Sequence, residues 1–139
     1  MSRRENKMTS EFMRKFEQTR KQHPLFGELA IKYLDERGII TASEFEYRTK
    51  IRGSLYYDLV KNPGGNRTFE TVIAFCAAIN ADLDRTEYML KLVGLSFNPC
   101  DIEHQAYKEI IVNYQGKSVI EKNAFLVSLN DKKITLLPF

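Results

Sequence analysis

Three groups of side chains have the types and spacing to do chemistry. Cys100 and His104 stand four apart in Cys100-Asp-Ile-Glu-His104, which places a thiol and an imidazole on one helix face. A zinc ion needs further ligands that this pair lacks, so no metal is expected there. Gly64-Gly65-Asn66-Arg67-Thr68 puts glycines ahead of a helix start, where free amides can hold an anion. It lacks the Lys-Ser/Thr pair and the leading strand of a phosphate loop, so a plain turn is the simpler expectation. No serine, histidine and acid grouping and no carboxylate pair stands out, and neither an enzyme nor a cofactor is expected.

The third group runs from Thr41 to Arg67 and suits a polyanion. Thr41, Ser43, Arg48, Lys50, Lys61, Asn66 and Arg67 supply the hydroxyls, amide and cations that hold phosphates. Arg52, Ser54, Leu55, Tyr57 and Asp58 lie at outward positions of one short helix. There Arg52 can reach a guanine, and Leu55 and Tyr57 can pack on thymine methyls. Asp58 would be repelled by phosphate unless it meets a cytosine amine or pairs with a neighbour. The same Leu55 and Tyr57 would equally serve a protein contact surface.

The elements that position these residues are all helical, and the fold class is all-α. Thr9 or Ser10 can cap a first helix over 10–22, with Phe12, Met13 and Phe16 on one stripe. That stripe must dock on this chain or on a second copy. His23-Pro24 stops it, and Pro24 suits the first turn of a helix over 25–37. Gly38 is the expected left-handed stop. Thr41-Ala-Ser-Glu44 forms a capping box for a helix over 42–49, and Ser54 caps the next, over 54–62. Its inner face is Tyr56, Leu59 and Val60.

Pro63-Gly64-Gly65-Asn66 turns the chain, and Thr68 caps a helix over 69–79 that buries Phe69, Val72, Ile73, Cys76 and Ile79. Asp84-Arg-Thr-Glu87 opens a helix ending at Gly94, Pro99 and Asp101 open one to Tyr114, and Ser118-Val-Ile-Glu121 opens one to Leu129. The stretch from Lys132 to Phe139 alternates weakly, as a docked extended segment, a strand or a disordered tail.

Composition excludes several classes. The 139 residues are 43% hydrophobic and 28% charged, ordinary for a globular chain. No run approaches the ~20 apolar residues of a transmembrane helix, and the first residues lack the apolar region of a signal peptide. Cys76 and Cys100 fit no disulfide framework, so reduced thiols in a cytoplasm are expected. Residues 1–22 hold seven basic and three acidic residues, a net of +4, while the remainder is −1. A basic arm at 1–23 is therefore expected ahead of a domain at 24–94 and a helical extension at 95–139. The arm's Arg3, Arg4 and Lys7 could enter a minor groove.

The stretch Ile40-Thr-Ala-Ser-Glu-Phe45, the turn Arg48-Thr-Lys-Ile-Arg-Gly-Ser54, and the segment from Thr68 to Asp84 together resemble the lambda-repressor-like, or Xre-type, helix-turn-helix family. The resemblance covers about residues 25–92 and marks the chain as a divergent member. It implies a helix-turn-helix domain with extra N- and C-terminal helices, acting as a sequence-specific double-stranded DNA-binding transcriptional regulator. It also implies a homodimer on a two-fold site. Family members usually carry a small residue where Glu46 stands and glycine where Lys50 stands. Glu46 must then swing outward, and Lys50 must either take the left-handed conformation at ~1–2 kcal/mol or remodel the turn, so a non-standard turn is expected.

A second expectation keeps the fold and reuses the face for a protein partner, as an antitoxin-like or adaptor module without sequence-specific DNA binding. An RNA-binding adaptor is a weaker third, because no aromatic-faced sheet is evident.

Overall fold

The computed structural model describes residues 3–129, 134 and 136–139, with side chains from residue 9 onward. Among them the chain forms eight helices and no strand. These are α1 (Arg3–Lys21), α2 (Phe26–Glu36), α3 (Ala42–Thr49), α4 (Gly53–Lys61), α5 (Phe69–Ala78), α6 (Leu83–Leu92), α7 (Ile102–Asn113) and α8 (Val119–Ser128). The all-α class expected from the sequence is what forms. The groove contact expected of Arg3, Arg4 and Lys7, and a strand beginning at Lys132, lie outside the described residues and side chains.

Helix α5 is the axis of the core. Its expected inner residues, Phe69, Val72, Ile73, Cys76 and the following Ile79, are all buried, and so are Ala74, Phe75 and Ala77. A helix buried nearly all round must be wrapped by others. Phe26 meets Phe75 edge-on from α2, and Phe69 stacks on His104 of α7 with ring centroids 3.9 Å apart. Buried Ala106, Tyr107, Ile110, Ile111, Leu126 and Leu137 join the same cluster as Phe26, Leu34 and Phe45. The boundary expected near residue 94 is thus a helix end inside one continuous core.

Several caps stand where their side-chain chemistry puts them. Thr41, Thr68, Asp101 and Ser118 each accept from the backbone amides of the first turn they precede. Gly38 and Gly94 take positive φ at helix exits. Other starts differ from expectation. Helix α1 begins at Arg3, well before Thr9 and Ser10. Leu25 rather than Pro24 precedes α2, with its amide donating to Glu28 Oε1 at 2.9 Å. Asp82 caps α6 by accepting from Arg85 N at 2.8 Å, one turn ahead of the Asp84 box. Val60 is 54% exposed rather than inner, and Ile102, Ile120 and Leu129 are exposed as well. Phe12, Met13 and Phe16 of α1 are exposed too, so none of the described residues covers that stripe.

A polar hub fastens α7 and α8 to the end of α5. Asn80 sits at φ 55, and its Oδ1 accepts from Gly116 N at 2.9 Å and from Lys122 Nζ at 2.8 Å. Lys122 Nζ also donates to Ala77 O at 2.6 Å, and Gln115 Nε2 to Ala81 O at 2.8 Å. Lys122 is only 1% exposed. Burial pushes its ammonium down from 10.5 to about 8.

The sign follows from proton counts. Below pH 8 both folded and unfolded chains hold the proton. Between 8 and 10.5 the unfolded chain binds more protons, so stability rises with pH. Burial pushes the Cys76 thiol up from 9 to about 12, and above pH 9 that opposes the trend. The clean window is pH 8 to 9. Denaturant unfolding there should gain up to roughly 1 kcal/mol in the native chain relative to Lys122→Met, whose own stability falls slightly as the unfolded Cys76 thiol begins to ionise. Equal slopes in both would reject the assignment.

Candidate nucleic-acid interface

Helices α3 and α4 present most of the polar residues singled out by sequence, and the turn between them sets their relation. Thr49 ends α3 with its hydroxyl donating to Phe45 O at 2.7 Å, and the same oxygen accepts from Ile51 N at 3.1 Å. Lys50 then reverses the chain at φ 64, ψ 10, its amide donating to Glu46 O at 2.9 Å. So Lys50 takes the left-handed strain, ~1–2 kcal/mol, and the turn is not remodelled around it. Buried Thr49 was not singled out from sequence, although a threonine closing a helix one residue before a left-handed position is a usable signal.

Glu46 is exposed, as expected, and its carboxylate curls back so that Gly53 N donates to Oε2 at 3.4 Å. Helix α4 begins at Gly53 with Arg52 as its cap position, so Ser54 lies inside the first turn and is not the cap. A Cβ on Gly53 would stand 3.3 Å from Ala42 O. The same Cβ would stand 3.2 Å from Glu46 Oε2, so Gly53 is where α4 comes close to α3.

On α4 the exposed residues are Arg52, Ser54, Tyr57, Asp58, Val60 and Lys61. Leu55 is half-buried against the core, so it offers an edge rather than a whole side chain. Lys61 Nζ lies 5.7 Å above the Tyr57 ring, and Lys50 Nζ lies 4.9 Å above the Tyr47 ring. These two cation–aromatic pairs restrain their ammonium groups beside the exposed face. Asp58 finds its neighbour: Oδ2 is 3.3 Å from the Arg67 guanidinium, which relieves the repulsion a bare carboxylate would bring.

Among the expected phosphate contacts, Ser43, Lys50, Lys61 and Asn66 are exposed. Thr41 is exposed too, but its hydroxyl is engaged as a cap, accepting from Glu44 N at 3.1 Å. Arg48 is exposed while donating to Arg37 O at 2.7 Å, with Glu44 at 3.8 Å. Arg67 departs from expectation. Its side chain is 2% exposed, it donates to Gly65 O and to Asn62 O at 2.7 Å, and its guanidinium lies over the Phe26 ring at 5.6 Å. A side chain so enclosed does not reach a phosphate. It builds the 62–67 loop and steadies Asp58.

Cys100 is exposed and free, while His104 is stacked on Phe69 with Nδ1 accepting from Asn98 N at 2.9 Å. Among the described residues no group of three or more metal-ligating side chains converges, and no helix is long and apolar enough to cross a membrane. Beside α4 lies a cleft of about 700 Å³, lined by Ile51, Arg52, Ser54, Leu55 and Asp58 together with Thr71, Ala74, Pro138 and Phe139. No protein-family model, curated protein or solved structure matches this chain.

Proposed function

We propose that this chain is a sequence-specific double-stranded DNA-binding transcriptional regulator of the lambda-repressor-like, Xre type, working in the cytoplasm as a homodimer. The observation that supports this most is the outward row of α4, where Arg52, Ser54, Tyr57 and Lys61 stand exposed on a short helix braced by α3 through a left-handed turn. Such a helix presents base-reading side chains to a major groove, while its brace crosses the phosphates. Ser43, Arg48 and Lys50 on α3 and its exit, with Asn66 beyond α4, border that row and suit backbone contacts. Two copies would read half-sites ~34 Å apart for each helical turn of separation.

The test is an electrophoretic shift using duplexes selected from a random pool. A palindromic consensus is expected. Arg52→Ala should weaken binding ~10- to 100-fold and relax one base position, and Lys61→Ala should lower the salt slope by about one. Unchanged binding in the Arg52→Ala, Lys61→Ala double variant would remove α4 from the groove.

A second reading rests on the apolar part of the same face. Tyr47, Tyr57, Val60 and nearby Ile40 are exposed, and a surface rich in tyrosine suits a protein partner. Salt-sensitive retention on heparin with no enriched duplex would favour that adaptor reading.

A further inference from the structure

The segment 136–139 is fastened beside the face just described. Asn123 on α8 grips Leu137 by both backbone groups: Leu137 N donates to Asn123 Oδ1 at 3.1 Å, and Asn123 Nδ2 donates to Leu137 O at 3.2 Å. Leu137 is buried in the main core, and Ile134 and Phe139 pack against it. Beyond that grip, Pro138 and Phe139 line the same 700 Å³ cleft as Arg52, Ser54, Leu55 and Asp58.

The outer residues of the segment are thinly held. Pro138 is exposed, Phe139 is half-exposed, and Phe139 N donates to Leu137 O at 2.8 Å in a local turn. A paired amide with one buried leucine makes a site that a short extended segment can leave and re-enter. A duplex seated on α4 needs the space in front of Arg52 and Ser54, because direct readout requires contact with base edges.

We propose that residues 136–139 are an intrasteric strap, latched by Asn123, whose Pro138-Phe139 end competes with duplex DNA for the Arg52–Asp58 side of α4. The strap rests on the DNA reading above and adds its regulation. Strap closed and duplex bound are mutually exclusive states, so weakening the latch raises DNA affinity without any new DNA contact. The latch residue lies on α8, away from the residues assigned to the duplex.

Two measurements separate the strap from the DNA reading. The first is thiol labelling of Leu55→Cys, at the half-buried α4 position that lines the cleft, in a Cys100→Ser background in which Cys76 is buried and inert. Ending the chain at residue 135, or replacing Asn123 with alanine, should raise the labelling rate at least threefold. The second is duplex affinity in the chain with native Leu55 and Cys100. Both changes should tighten it by fivefold or more, with helical content retained by circular dichroism. Asn123→Ala keeps the full segment and carries the test if the shortened chain does not fold.

A labelling rate that ignores both changes overturns the strap. Faster labelling with no gain in duplex affinity, in a chain that binds DNA, also overturns it. Faster labelling in a chain that binds no duplex in any form rejects the DNA reading and supports the strap as a cover on α4.

Discussion

Replacing Gly27 with alanine lowers the unfolding free energy by about 3 kcal/mol, read as a fall in the denaturant midpoint at constant slope. The sign is unusual. A glycine in a first helical turn normally gives way to alanine with a gain of up to ~1 kcal/mol. Here a Cβ would land 2.5 Å from Leu59 O and 2.5 Å from Pro63 Cα. Both obstacles are backbone, so no side chain can rotate aside. Gly27 N also donates to Pro63 O at 2.9 Å, and moving α2 outward would break that bond. The contact is where α2 crosses the exit of α4, so the damage falls on the helix assigned to base reading. Gly64→Ala is the control. Its Cβ would meet only the Leu25 side chain, at 3.5 Å, and the change should stay within ~0.5 kcal/mol. An unaltered midpoint in Gly27→Ala would mean that α2 and α4 do not approach as described.

Arg67→Ala should cost about 2–3 kcal/mol. The loss strips a donor from Asn62 O and Gly65 O and removes the guanidinium from Phe26. The ion pair itself contributes little to that figure, because Asp58 is half-exposed and screened by water. Arg67→Lys should recover less than half of the loss, since one ammonium cannot span acceptors laid out for a planar fork. At a temperature where the variant stays folded, the salt dependence of duplex binding should match the native chain, unlike that of Lys61→Ala. A slope reduced by one in Arg67→Ala would return Arg67 to the phosphate contacts.

How much of this was legible in sequence divides by the range of the cause. Thr41, Thr68, Asp101 and Ser118 announce helix starts because a cap acts on amides two or three residues away, and that pattern is written locally. The α5 stripe is legible for the same reason, as periodicity within ten residues. Gly27 was not singled out because its constraint comes from Leu59 and Pro63, more than thirty residues on. The sequence offers Arg67 as a phosphate ligand because arginine type is visible there and enclosure is not. Val60 was assigned inward because three residues of a nine-residue helix fit several rotations about its axis. Of the candidate interface, the outward set on α4 was legible apart from half-buried Leu55. The cleft and the Asn123 grip were not, since they join residues far apart in the chain.

The Asn80 hub has a bearing on inheritance. Lys122 reaches back 45 residues to Ala77 O and 42 to Asn80, and Gly116 and Gln115 close on the same corner. The helices after Gly94 are therefore not an accessory that recombination could trim or exchange as a cassette. Cutting there would strand the end of α5, the helix on which the α3–α4 pair rests. A descendant of this chain can change what it contacts by altering the exposed residues of α4. To change its architecture, it must rewrite both halves together.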